Sequence, residues 1–152
     1  SLDAQVSVPD PNALLVFDSQ RVLTKAPDDT FANVENAQWA DNLPKLLQAR
    51  IVQSFSNAKQ LRMVSRPMDD LNADYKLAIE IRSFQIALGK EPVAEVNFTA
   101  RILGSDGKVV AAQDFKAQEP AKSAQVGDAI PALNAAFGRA ATELVKWTVG
   151  TL

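Results

Sequence analysis

Cysteine and histidine are both missing from the 152 residues. Without cysteine there is no disulfide framework, no thiolate nucleophile and no thiolate zinc site. Without histidine the usual general base near neutral pH is gone, and with it the commonest metal ligand, so Ser-His-Asp and Cys-His triads cannot be assembled. The lack of cysteine does not fix the compartment, since it suits a periplasmic domain that does without disulfides as well as a cytosolic one. No run approaches the ~18 consecutive apolar residues of a spanning helix. Nor is there an excess of positive charge. Sixteen Lys and Arg stand against eighteen Asp and Glu, a net charge of -2 with both signs mixed along the chain. That balance excludes the basic face on which counterion release from nucleic acid depends. Ser1 begins abruptly, with neither an initiator methionine nor an apolar leader. The expectation is a mature or trimmed chain whose targeting segment is out of view.

What is present suits one globular domain. Hydrophobic residues make up 47% and charged residues 22%. A chain of this length buries ~68–70% of its unfolded surface and needs no metal or disulfide staple. Val6 and Val8 alternate ahead of Pro9-Asp10-Pro11, a short strand ending at the prolines. Ala13 to Val16 fits one helical turn or part of a strand, because a short apolar run does not choose by period. Ser19 to Thr24 and Thr30 to Glu35 read as a hairpin around the turn cluster Ala26-Pro27-Asp28-Asp29.

From Trp39 the period changes. Trp39, Leu43, Leu46, Leu47, Ile51 and Phe55 recur at steps of three and four, one face of an amphipathic helix. Asp41 or Asn42 can cap its start, and Pro44 is tolerated in a first turn. Ser56-Asn57 marks its end. Leu61 to Ser65 reads as a short strand broken by Arg66-Pro67, and Met68 to Asp74 as a loop.

Tyr75, Leu77, Ile79 and Ile81 then alternate with Lys76, Ala78, Glu80 and Arg82, the clearest strand in the chain. After Ser83 the apolar positions change parity, to Phe84, Ile86 and Leu88. A β-bulge at or near Ser83 explains the switch, because one extra residue flips the facing side. Val96, Phe98, Ala100 and Ile102 alternate again up to the hairpin signal Gly104-Ser105-Asp106-Gly107, and the return strand runs through Phe115. Gln118 to Gln125 reads as a loop. From Val126, Ile130, Leu133, Phe137, Ala140, Leu144 and Trp147 return to helical period, with several alanines for close packing on a sheet. The expected fold is a single α/β domain over residues 1–152: a mixed, largely antiparallel sheet packed against two main helices, with a right-handed crossover if the strands flanking the first helix are parallel.

No constellation carries chemistry. Asp28-Asp29 and Asp69-Asp70 lack the spaced acids, central glycine and terminal glutamate of an EF-hand, and read as solvated turns. Glu80, Arg82 and Glu95 read as cross-strand ion pairing rather than a glycosidase dyad. Gly104, Gly107 and Gly127 match neither a P-loop nor a dinucleotide fingerprint. Trp39 and Trp147 lie on apolar helix faces, where core packing is the default. Trp39, at a helix entrance, is the better interface candidate of the two.

The run Trp39-Ala40-Asp41-Asn42-Leu43-Pro44-Lys45-Leu46-Leu47-Gln48-Ala49-Arg50-Ile51-Val52-Gln53-Ser54-Phe55 resembles the signature helix of the ABC-type transport auxiliary lipoprotein family. Asp18-Ser19-Gln20-Arg21-Val22 looks like the strand before that helix. Ala73 to Leu77 with Ile81 to Phe84 looks like the central strand, and Gly107 to Ala111 and Ala132 to Phe137 also agree. The ordered set carries the resemblance, over roughly Val6 to Trp147.

The resemblance implies a compact α/β domain in the style of the N-terminal domain of TolB. It implies a periplasmic lipoprotein, anchored to the outer membrane through an acylated N-terminal cysteine that this sequence does not contain. It also implies an accessory role beside an ABC transporter with an Mce-domain substrate-binding protein, moving phospholipid or other lipid between two membranes. Its expected partners are that Mce-domain protein and the ABC permease, with a lipid as a further partner. No enzyme activity, catalytic residue, cofactor or metal is expected. Trp39, Asp41, Arg82 and Phe84 are the expected interface residues. A second reading is a direct carrier of lipid or another small hydrophobe, with Phe84, Ile86 and Leu88 lining a pocket between helix and sheet.

Overall fold

The structure, a computed structural model, describes residues 4–59, 63–65 and 73–152. Its elements in chain order are β1 (Gln5–Ser7), β2 (Asn12–Ala13), a 3-10 turn (Leu15–Phe17), β3 (Arg21–Lys25), β4 (Phe31–Gln38), α1 (Leu43–Ala58), β5 (Met63–Ser65), β6 (Tyr75–Ala87), β7 (Val93–Gly104), β8 (Val109–Pro120) and α2 (Val126–Thr151). The strands form one mixed sheet covered by two helices.

β6 is its spine. Along one edge β6 pairs antiparallel with β7, which pairs antiparallel with β8. Along the other edge three short strands line up parallel to it in sequence order. Val6 lies beside Tyr75, Asn12 beside Glu80, and Leu23 beside Gln85. The 3-10 turn takes up the extra chain between the second and third of these, so the segment left open between helix and strand contains both. β5 lies outside β1 and parallel to it, hence antiparallel to β4, so the two strands flanking α1 do not meet the condition on which a right-handed crossover between them was expected. β4 lies outside β3 and antiparallel, closing the expected hairpin.

The parity switch in β6 is a bulge. Ile81 faces Phe98 and Ser83 faces Asn97, which leaves Arg82 as the extra residue. Leu77, Ile79 and Ile81 before it and Phe84 and Ile86 after it are therefore all buried. Without the extra residue, one of these sets would face solvent.

Four readings need correction. Trp39 precedes α1 rather than opening it; its N–H donates to the Gln20 carbonyl at 2.8 Å, so the chain there still belongs to the β3–β4 hairpin. Asn42 occupies the cap position of α1 but makes no side-chain cap bond, and the Asp41 carboxylate accepts the Asn42 N–H at 2.7 Å instead. β4 runs on to Gln38 with Asn36 in a left-handed conformation, so four residues on it oppose Val22. Residues 118–120 are strand, not loop: Gln118 sits beside Glu95 and Pro120 beside Val93. Their polarity misleads because an outer strand is wetted along its free side, and a proline ending such a strand leaves no ladder bond unmade. Leu61, Arg62, Arg66-Pro67, Asp69-Asp70 and most of the expected 68–74 loop lie outside the described residues.

The β3–β4 turn is tied by Asp28, whose carboxylate accepts the Thr30 hydroxyl at 2.7 Å and the Thr30 N–H at 3.1 Å. These bonds, hydroxyl first, hold Asp28 below the ordinary carboxylate range. A depressed folded-state pKa stabilises above the unfolded value, and that stability is lost as pH falls through the folded one. In Thr30→Ala the Asp28 titration followed by NMR moves upward, toward the ordinary carboxylate range; an unmoved titration would show that the hydroxyl contributes nothing.

α2 lies along β7 and β8, and its buried side is built largely of small residues: Ala129, Ala132, Ala136, Ala140 and Ala141 beside Leu133, Phe137 and Leu144. Pro131 stands inside it. Gly138 faces outward, where an added Cβ meets nothing within 4 Å. Gly138→Ala therefore stabilises the domain by about 0.5–1 kcal/mol in urea unfolding, since only the helix propensity changes. A loss of stability would mean that this position is not open.

Candidate functional site

The sheet has two unlike faces. The helix side carries the core. The other side of the β6–β7–β8 meander carries a solvent-facing polar ladder, because every second residue of each strand points there. Arg82, set in the bulge, donates through Nε to the Thr99 hydroxyl at 2.8 Å, and Thr99 donates to Asp114 on the next strand. Glu80 lies 3.6 Å from Arg82 and 3.4 Å from Arg101. Further along, Gln85 on β6 and Gln118 on β8 both donate to Glu95 on β7, at 2.9 and 3.5 Å. The expected Glu80–Arg82 pairing is thus found, while Glu95 belongs to a separate glutamine bridge. About half of the Arg82 side chain is exposed, at 48%, so each ion pair contributes only ~0–1 kcal/mol. The ladder fixes side chains more than it stabilises the fold; Thr99 and Gln85 are buried within it, and its exposed charges are of mixed sign.

The expected interface residues divide between core and surface. Trp39 and Phe84 are buried at 5% and 2% exposure and meet edge to face with ring centroids 5.7 Å apart. Trp39 therefore takes the packing role. Arg82 and Asp41 are exposed, Arg82 on the polar ladder and Asp41 ahead of α1. Ile86 is fully buried and Leu88 is exposed beyond the end of β6. The three residues expected to line a lipid pocket thus do not line one: two are core and one is surface.

Grooves among the described residues flank the sheet instead, and two of them lie between a strand and α2. The larger, about 710 Å³, runs between β8 and α2, over Asp114, Phe115 and Lys116 on the strand and Ala135, Gly138 and Thr142 on the helix. The smaller, about 430 Å³, lies between β4 at Asn33–Asn36 and the start of α2 at Gln125–Val126. The sequence reading missed both grooves. The only signal for the first was the run of small residues on α2, which had been assigned wholly to packing on the sheet. It also missed Leu14 and Leu15, exposed at 64% and 87% by the 3-10 turn. Between the helices, the Arg50 guanidinium donates to Asn134 at 2.7 Å, and its burial lowers its pKa from the ordinary value.

Among the described residues no group of acidic side chains is arranged to hold a metal ion, and no helix is long and apolar enough to cross a membrane. A mixed sheet with a packed helical side and a polar side is the form of a small α/β domain. Its family follows from comparison: residues 1–145 match the ABC-type transport auxiliary lipoprotein components, and the chain belongs to that family. The family is one of lipoproteins, named for an auxiliary part in ABC-type transport.

The relatives agree. An uncharacterized protein of Bradyrhizobium diazoefficiens, bll6063, is 38% identical over 149 residues, which is 98% of this chain and 40% of that protein. The chain thus spans about two fifths of that relative's length. Among solved structures, protein XCC0632 of Xanthomonas campestris superposes with a TM-score of 0.89 at 29% identity, covering 97% of this chain and 84% of that one. PelC of Paraburkholderia phytofirmans, solved as a dodecamer, superposes with a TM-score of 0.58 at 14% identity, covering 95% and 90%. At that identity the likeness is one of fold alone.

Proposed function

We propose that this domain is a non-enzymatic periplasmic component of an Mce-associated lipid transport system. In this reading it is held at the outer membrane by a lipid anchor and acts by docking onto the Mce-domain substrate-binding protein and the ABC permease. The observation that carries the reading is the family match over residues 1–145. The physical character of the domain supports it. Phe84 and Ile86, the best candidates for an acyl pocket, are spent on the core, while the other face of the meander is polar and held in place by cross-strand bonds. A polar surface with fixed side chains suits recognition of another protein, whereas small-molecule sites are mostly apolar. Arg82 is the exposed contact assigned to that surface, and Asp41, ahead of α1, is a second exposed contact away from it.

The test is retention. The tagged domain, immobilised and challenged with detergent-solubilised membranes containing the Mce-domain protein of the same system, holds that protein back through washing. Arg82→Glu, which reverses the charge at the centre of the ladder, weakens retention without unfolding the domain. Absence of the Mce-domain protein from the eluate at micromolar bait would overturn the docking reading.

A further inference from the structure

We infer that β8 is the contact edge of a two-fold dimer, in which the sheet continues from one copy of this chain into a second. The backbone shows which groups are free. The Phe115 carbonyl points toward β7, where it accepts Asn97 Nδ2 at 3.1 Å, and the Ala121 N–H also points inward, to the Pro92 carbonyl at 3.0 Å. The Gln118 carbonyl points the other way and accepts the Arg139 guanidinium. Backbone groups alternate sides along a strand. Ala112, Asp114, Lys116 and Gln118 therefore present their N–H and C=O groups at the open edge. A straight edge of this kind is a template for another strand.

The side chains choose the occupant and the register. In an antiparallel pair, outward residues must face outward residues. A two-fold axis through Phe115 sets Asp114 opposite the second copy's Lys116, and Lys116 opposite its Asp114, with Ala112 opposite Gln118. Opposite charges on facing positions stabilise a pair, and like charges destabilise it. Moving the axis by one residue in either direction sets Asp114 against Asp114 or Lys116 against Lys116. Both ends are closed as well. Pro120 has no N–H to offer, and the register irregularity beside Leu103 distorts the strand near Val110. The sequence from Ala112 to Gln118 is thus self-complementary in one register and repulsive in its two neighbours.

The helix layer has room for this arrangement. α2 lies over β7 and β8, so the axis brings α2 of each copy alongside the other, antiparallel across the groove. That groove is lined on the helix by Ala135, Gly138, Ala140 and Thr142 together with the longer, exposed Arg139 and Glu143, and a Cβ at Gly138 meets nothing within 4 Å. Small residues permit the ~8–10 Å helix separation that a continuous sheet imposes. In a single copy Arg139 holds the Gln118 carbonyl; on pairing, the second copy's Ala112 N–H takes or shares that acceptor.

Sedimentation velocity of the 152-residue chain from micromolar to submillimolar concentration tests this. The expected result is a monomer–dimer equilibrium. Lys116→Asp and Asp114→Lys each weaken their own dimer by about tenfold or more. Mixing the two variants restores a dimer, because one then carries only acids at positions 114 and 116 and the other only lysines, so every facing pair is again of opposite sign. Lys116→Pro, which removes an outward N–H and disturbs no bond to β7, abolishes the dimer and serves if Asp114→Lys fails to fold. A chain that stays monomeric throughout would overturn the inference. So would an assembly of another stoichiometry, or a dimer indifferent to charge at positions 114 and 116.

Discussion

Phe84→Ala costs this domain about 3–5 kcal/mol in urea unfolding, a fifth or more of the ~5–15 kcal/mol that a domain of this kind holds in reserve. Phe84 is buried where the two helices and the hairpin end meet over the sheet. Its ring stands edge to face against Trp39 at 5.7 Å and tilted against Phe137 at 6.0 Å. Phe137 in turn lies 6.1 Å from Phe98, which stacks on Phe115 at 5.4 Å, and Phe115 meets Trp147 at 5.5 Å. Six rings thus form a continuous chain from the segment before α1 to the last turns of α2. Removing Phe84 opens a cavity bounded by Trp39 and Phe137, neither of which can collapse into it without leaving its own neighbours. Trp39→Ala is damaging for the same reason. The double variant falls short of the sum by about 0.5–1.5 kcal/mol, the value of one aromatic pair. A loss below about 1 kcal/mol for Phe84→Ala would show that the ring chain is not structural.

Ala136→Phe destabilises by overpacking, by about 1–3 kcal/mol and toward the upper end of that range. Ala136 is fully buried in a helix whose inner side is mostly alanine, so α2 lies close on the sheet with no slack for a ring. Two residues on, Gly138→Ala has the opposite sign, because that position faces the groove. The pair of substitutions compares inner and outer sides of one helix, and thermal unfolding of both variants reads the contrast directly. If Ala136→Phe were neutral, α2 would be able to lift from the sheet, and the argument that it fixes the groove beside β8 would fail.

How much of this was legible in the sequence depended on whether the signal was local. The alternation in β6 and its change of parity at Ser83 located a bulge to within one residue, because a strand's period is two and any slip shows at once. The helical faces of α1 and α2 were equally plain. The polar end of β8 was not, because Lys116, Gln118 and Glu119 carry the composition of a loop when a strand is wetted on one edge and one face. Trp39 misled in a subtler way. Its spacing to Leu43 fits a helix, yet the chain reaches it from the β3–β4 hairpin, and the contact with Phe84 depends on pairing across distant segments that no local period reports.

The surface was the least legible part. Arg82 was singled out as one of a charged set, and alternation alone already turns it outward, but its link to Asp114 depends on the register of three strands. The groove between β8 and α2 arises from the tertiary placement of Ala135, Gly138 and Thr142, which the helix pattern alone assigns to no side. The family resemblance, in contrast, was carried by an ordered series of short segments. It is borne out over residues 1–145.

The most direct measurement is an equilibrium titration of the purified domain against the soluble Mce domain of its own transport system, by calorimetry. The account predicts saturable binding with a dissociation constant in the micromolar range or tighter, weakened by Arg82→Glu and unaffected by Gly138→Ala. Heats no larger than dilution at tens of micromolar of both proteins would contradict it.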